Sequence, residues 1–239
     1  MKIALLGYGK MGKVIEEIAL NRNHEIVLKI NNQNQDQLTI ENIEQVDVAI
    51  DFSTPNSAKS NILIAINSNT PIISGTTGWL ESYDEVSKLC IDKKSALLYA
   101  SNFSLGVNLF FELNKTLAGL MKSHKQYDVT ITEIHHTQKL DAPSGTAISL
   151  AEQIISENEN HNGWTLDKGN SDERIIIEAQ RVKMTPGTHI INYKSEVDTI
   201  SIKHEAHSRK GFALGAVIAA EWIQNKKGVF SMRDVLFSS

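Results

Sequence analysis

The sequence predicts an α/β protein in which a doubly wound parallel sheet is followed by a smaller α+β domain. Three observations carry that prediction. Residues 1–100 alternate short apolar runs with longer amphipathic ones, the pattern of repeated βα units around a parallel sheet. A glycine turn, Gly7-Tyr8-Gly9-Lys10-Met11-Gly12, separates the first apolar run from the first amphipathic segment. After Ser101-Asn102-Phe103 the pattern changes to strands of strict alternation, which read as a second sheet.

In the first region the strand candidates are Lys2 to Leu6, Glu25 to Ile30, Val46 to Asp51, Pro71 to Ser74 and Ala96 to Ala100, each bounded by polar or turn residues. Between them Met11 to Asn21, Asn56 to Asn67 and Glu81 to Lys93 carry apolar residues at helical spacing, as in Val14, Ile15, Ile18 and Ala19. Asn31 to Asp36 is a polar loop. Beyond Phe103 a helix is expected over Val107 to Met121, then a strand over Asp128 to His135. In that strand Val129, Ile131 and Glu133 alternate with Thr130 and Thr132. A further helix starts at Ser144-Gly145-Thr146 and runs to about Glu157, followed by an exposed polar loop over Asn158 to Asp172. Strands are expected over Glu173 to Val182, Thr188 to Tyr193 and Asp198 to His204. Phe212 to Gln224, rich in Ala, Ile, Val and Trp, reads as a well-buried helix.

Composition narrows the function class. A hydrophobic fraction of 41% and a charged fraction of 22% over 239 residues fit a soluble globular protein of two modest domains and argue against intrinsic disorder and fibrous architecture. A net charge of −4 gives no general attraction for nucleic acid or anionic lipid, while leaving room for a local basic pocket that takes a small anion. The single cysteine, Cys90, has no disulfide partner and forms no zinc cluster, which fits a reducing compartment. The first apolar run stops at Gly7, without a leader-type cleavage site or membrane-spanning length, so a cytoplasmic protein with no membrane partner is expected.

The turn from Gly7 to Gly12 matches G-x-G-x-x-G in the context that gives the motif its weight, after a strand and at the start of a helix. Glycines there let backbone N–H groups approach a pyrophosphate, whose charge the helix N-terminus favours. A Rossmann-type nucleotide site follows, with Gly7, Tyr8, Gly9, Lys10, Met11 and Gly12 as its first contacts. The second strand ends at Asn31 and Asn32 where an acidic residue would select NAD, so NADH or NADPH is expected as cofactor. Lys10 offers a partner for a 2′-phosphate; Lys29 reads as a surface side chain. Ligands of open α/β sheets gather at carboxyl strand ends, which adds Gly75, Thr76 and Thr77 after the fourth strand. Ala100, Ser101, Asn102 and Phe103 after the fifth join them on the same ground.

The most informative stretch runs Glu133-Ile134-His135-His136-Thr137-Gln138-Lys139-Leu140-Asp141-Ala142-Pro143-Ser144-Gly145-Thr146-Ala147. Two histidines and a lysine stand beside a turn into a helix, whose hydroxyls and unpaired N–H groups suit a substrate carboxylate. Lys139 adds positive charge, and either histidine is able to donate or position a proton. Adjacent residues of a strand point to opposite faces, which argues against His135 and His136 sharing a metal; no metal site is expected.

The run E-x-H-H-x-x-K-x-D-A-P-S-G-T-A resembles the signature of the dihydrodipicolinate reductase family. The resemblance extends to the turn at 7–12, Gly-Thr-Thr at 75–77, Ala-Ser-Asn-Phe at 100–103 and the stretch from His204 to Ala216. It implies His135 as the catalytic histidine, Lys139 as the general acid, and His136, Ser144, Gly145 and Thr146 as substrate contacts. The implied reaction is delivery of hydride from NADH or NADPH to 4-hydroxy-tetrahydrodipicolinate, a small dicarboxylate, with loss of water, in lysine and diaminopimelate biosynthesis. It further implies a homotetramer joined through sheets of the second domain. Residues 1–106, completed by 210–239, then form the dinucleotide-binding domain, and 107–209 the substrate-binding and oligomerisation domain. Arg181 and Arg209 stand in informative surroundings but read equally well as structural ion pairs. An amino-acid dehydrogenase of related build would not need His-His-x-x-Lys joined to Pro-Ser-Gly-Thr, and a nucleotide sensor without chemistry would have no use for both His135 and Lys139.

Overall fold

The computed structural model describes residues 1–166, 173–208 and 210–237. The chain divides into two compact units, residues 1–105 with 210–239 and residues 106–209.

The first unit opens with β1 (Lys2–Leu6), α1 (Lys10–Asn21), β2 (Glu25–Ile30), the single turn α2 (Ile40–Ile43), β3 (Val48–Asp51), α3 (Pro55–Asn67), β4 (Ile72–Ser74), α4 (Tyr83–Asp92) and β5 (Ala96–Tyr99). After the second unit the chain returns with α7 (Lys210–Ile223), β11 (Gly228–Phe230) and α8 (Met232–Phe237). The sheet has the order β11-β5-β4-β3-β1-β2 with every pair parallel, so the carboxyl ends of its strands share one edge.

Side chains alternate across this sheet into two cores, as a strand with both faces covered requires. Ile3, Leu5, Val48 and Ile50 meet α1 and α7 on one side, while Ala4, Leu6, Ala49 and Ile72 meet α3 and α4 on the other. The helix α7 lies so close to the sheet that its sequence is mostly small. A side chain at Gly215 would put its Cβ 1.7 Å from the Phe103 carbonyl oxygen. Two differences from the sequence reading stand out. Gly228–Phe230 adds a sixth strand beside β5, and Ile40–Ile43 forms a turn of helix; both are too short for a periodic signal. Cys90 is buried and free.

The second unit contains α5 (Leu105–Met121), β6 (Asp128–His135), α6 (Gly145–Glu157), β7 (Gly163–Thr165), β8 (Arg174–Arg181), β9 (Gly187–Lys194) and β10 (Thr199–Ala206). Their mixed sheet has the order β10-β9-β6-β8-β7. Phe110, Ala118 and Met121 of α5 and Ala147, Leu150 and Ile154 of α6 close over Val129, Ile131, Ile175, Ile177 and Ile191. The expected polar loop over 158–172 therefore contains a strand, β7, which pairs parallel with β8. Its remaining part, 167–172, and Arg209 lie outside the described residues. Among the described residues no helix is long and apolar enough to cross a membrane.

Candidate active site

At the carboxyl edge of the first sheet, Gly7 has φ +92, a conformation that glycine adopts at little cost, and any Cβ there would lie 2.2 Å from the Phe52 carbonyl oxygen. Gly12 packs against the Gly7 carbonyl, where a Cβ would come to 2.9 Å, whereas Gly9 has open space around it. The three glycines thus do different work: two hold the turn against β3 and α1, and one leaves backbone bare at the mouth. Tyr8 N–H and Gly7 N–H donate to the Ile30 carbonyl at 2.7 and 3.0 Å, which seats the turn on β2. A cavity of about 440 Å³ opens here between the turn, Asn31 and the Phe52 to Ser57 segment. Its lining holds no charged side chain: Asn31, Asn32 and Gln33 supply neutral amides instead. The Asn31 side-chain oxygen accepts from Gln33 N–H at 2.7 Å. Lys29 is held by Glu16 at 2.5 Å and lies over the Tyr8 ring, and Lys10 is exposed. These features fit a dinucleotide: a bare, helix-capped turn for the pyrophosphate and a neutral amide rim for the ribose.

Asp51, at the end of β3, organises the rest of that edge. It is fully buried and accepts four hydrogen bonds, from Ser53, Asn61, Ser74 and Thr76, at 2.7 to 2.9 Å. Burial pushes its carboxyl above the usual range, and the four donors work against that push. Thr76 is therefore engaged through its hydroxyl, which also accepts from Ser53 N–H, while Thr77 beside it is exposed. Phe103 is buried against Phe52, and Ala100, Ser101 and Asn102 keep partial or full exposure. The sequence reading did not single out Asp51; an aspartate closing a wholly apolar strand was its signal.

In the second unit the alternation of β6 puts Glu133 and His135 on the same face as Val129 and Ile131, facing the core. Glu133 is fully buried and His135 nearly so. One Glu133 oxygen accepts from both terminal nitrogens of Arg181 at 3.1 Å and from Ser144 N–H at 3.2 Å. The other lies 2.5 Å from His135 Nδ1, an ion-pair distance that departs from ideal hydrogen-bond direction. Burial raises the Glu133 carboxyl, but His135, Ser144 and Arg181 outweigh it and hold it down at about 2.

His189, paired across the strands with Glu133, meets His135 edge to face at 5.2 Å and Ser144 Oγ at 3.2 Å. Burial first, and then the neighbouring His135, hold His189 down at about 4, so it is neutral at pH 7. Glu133, His135 and His189 bring atoms of metal-ligating type within 4.8 Å of one another. The Arg181 guanidinium already supplies the positive charge opposite Glu133, which disfavours a divalent ion there.

The segment between β6 and α6 carries the remaining predicted residues. His136 is half-buried, and Lys139 Nζ pairs with Asp141 at 2.8 Å. Arg181 also donates to the Lys139 and Asp141 carbonyls, at 3.4 and 2.6 Å, so one guanidinium ties this loop to β8. Ser144 caps α6 by accepting from Ala147 N–H at 3.2 Å. That leaves the N–H groups of Gly145 and Thr146, in the first turn, for an external acceptor. Arg181 was noted from sequence without a role, and Glu133 and His189 were passed over; a glutamate on the apolar face of an alternating strand was the available signal.

Two family models match the chain, dihydrodipicolinate reductase, N-terminus, over residues 1–103 and dihydrodipicolinate reductase, C-terminus, over residues 106–236. The chain belongs to the dihydrodipicolinate reductase family. It is 53% identical to 4-hydroxy-tetrahydrodipicolinate reductase of Christiangramia forsetii, over 99% of this chain and 98% of that protein. It is 35% identical to the enzyme of that name from Thermosipho africanus, over 99% and 98%. A solved dipicolinate-bound dihydrodipicolinate reductase from Paenisporosarcina sp. TG-14 superposes with a TM-score of 0.80 at 24% identity, covering 99% of both chains, and shows the same fold. As a member of this family the protein is an oxidoreductase that uses NADH or NADPH.

Proposed function

We propose that this dihydrodipicolinate reductase uses Lys139 as its general acid and His135 as the histidine that moves or positions a proton. They act in the reduction of 4-hydroxy-tetrahydrodipicolinate to tetrahydrodipicolinate. The observation that carries the reading is the convergence of His135, Lys139 and the bare N-terminus of α6, brought together by one buried carboxylate and one guanidinium.

NADH or NADPH supplies the hydride. The chain must supply the rest: departure of the substrate hydroxyl as water and a proton for the carbon beside the one reduced. Substrate, hydride and one proton then balance product and water. Among the described residues Lys139 pairs with one exposed group, Asp141, which a substrate carboxylate replaces at little electrostatic cost. Gly145 and Thr146 N–H groups hold the other carboxylate at the positive end of α6, and His136 is a further substrate contact. Ser144 serves as the cap that keeps those N–H groups in place. In the first unit the turn at Gly7, Tyr8, Gly9, Lys10, Met11 and Gly12 takes the pyrophosphate, Asn31 the adenosine ribose. The strand ends at Gly75 to Thr77 and Ala100 to Phe103 take the nicotinamide half.

Homotetramer formation is part of this reading. The sheet of the second unit has one face under α5 and α6, while its other face carries half-buried Thr130, Thr132, Ile134, Ile176 and Ile190, which a second copy would cover. The same reading places the enzyme in the cytoplasm, in the pathway to diaminopimelate and lysine.

The test is Lys139→Met, assayed for oxidation of the nicotinamide with substrate generated in place by the preceding synthase. A loss of kcat of about 100-fold or more is expected, in the range for removal of a general acid. Unchanged kcat would remove Lys139 from the chemistry.

A further inference from the structure

The reaction assigned above uses His135 and Lys139, but the most completely built part of the site is the pair behind them. Glu133 is a charged residue on the core face of a strand, level with Val129 and Ile131, and both its oxygens are spoken for by groups from three separate elements. Such an arrangement is poor value for stability alone. Desolvating a carboxylate and a guanidinium costs several kcal/mol each, and apolar residues of similar volume often serve a core as well or better. What the arrangement does supply is fixed geometry for three site parts at once: the His135 ring, the Ser144 turn and, through Arg181, the loop bearing Lys139.

We infer that Glu133, anchored by Arg181, is the positioning residue of the reductase. It accepts the Nδ1 proton of His135, so that the ring presents its unprotonated Nε2 to the substrate, and it sets the Ser144 turn at a fixed distance from that ring. The rest of the pocket agrees. The Nε2 edge faces Gly187, where a Cβ would stand only 3.1 Å away, so the absence of a side chain keeps that edge clear. His189 closes the ring's flank without competing for its proton, since burial keeps it neutral. Arg181 spans Glu133 and the carbonyls of Lys139 and Asp141, which couples the histidine to the lysine through a single side chain. Neither Glu133 nor Arg181 needs to touch substrate for this role.

The inference rests on His135 being a reacting group, and its test is chosen to separate the two. With isotope-labelled histidine, the nitrogen signals of His135 are identified by their loss in His135→Asn. At a pH where the ring is neutral, the wild-type ring is expected as the Nδ1-protonated tautomer. Glu133→Gln, which keeps the shape and removes the charge, is expected to mix the tautomers and lower kcat by about 10- to 100-fold, with KM changed less than about 3-fold. Arg181→Lys, which cannot reproduce the two-nitrogen contact, should lower kcat in the same sense.

A wild-type ring protonated on Nε2 overturns the inference whether or not any variant folds. So does a Glu133→Gln enzyme that keeps full kcat, or one that loses kcat with the tautomer unmoved. If wild-type protein lacks reductase turnover altogether, the functional reading fails, while the tautomer measurement still reports on the geometry.

Discussion

Two buried groups of the same network give the protein's stability a defined response to acid. The folded chain keeps His189 neutral down to about 4 against an ordinary value of 6.5. Below pH 6.5 the unfolded chain therefore takes up a proton that the folded one refuses, and stability falls as pH drops through that window. Glu133 acts lower down. Its contribution is complete above its ordinary value of 4.5 and is lost as pH falls toward about 2. His161 and His204, also held down by burial, add to the upper window in the same sense. Urea midpoints measured across pH are expected to fall less steeply between pH 6.5 and 4 in His189→Asn than in wild type; parallel curves would show that His189 titrates normally. A second expectation at this scale concerns Gly7. Its positive φ and the 2.2 Å approach to Phe52 make Gly7→Ala destabilising by about 2 kcal/mol or more, read as a lower melting temperature. The glycine was legible as a motif position, but the close approach was not, because Phe52 lies far off in sequence. Glu133 was visible only as an odd letter in an alternating strand, since its partners come from β8 and α6.

At the scale of elements, periodicity located β1, β2 and β6 to the residue because each alternation or apolar run is bounded by sharp polar turns. It placed α6 correctly for a different reason, the Ser144 cap that ends the loop and starts the helix. It missed β7 and β11, three-residue strands that exist only because a neighbour offers a hydrogen-bonding edge. On the proposed reading the end of β2 sets cofactor choice. With neutral amides there and Lys29 tied to Glu16, the rim neither repels a 2′-phosphate nor binds it by charge, so both cofactors should be used. Asn31→Asp introduces a carboxylate that accepts from a ribose hydroxyl and repels a 2′-phosphate. It is expected to shift the ratio of kcat/KM toward NADH by about 10-fold or more, and an unchanged ratio would place the ribose elsewhere.

At the scale of the molecule, the fold class was legible because the two halves of the chain speak different patterns, apolar runs first and alternation later. The return of residues 210–237 to the first unit was suggested only by the mostly apolar character of α7. Assembly belongs to this scale. The half-buried face of the second unit's sheet should bring four copies together, and light scattering should give four times the 26.5 kDa chain mass, with a monomer contradicting the assigned interface. The claim on which everything else depends is turnover. Purified protein, given substrate by the preceding synthase together with NADH or NADPH, is expected to consume the nicotinamide absorbance with either cofactor and to form tetrahydrodipicolinate mole for mole. Absence of turnover with both cofactors, from a folded protein that binds them, would contradict the account.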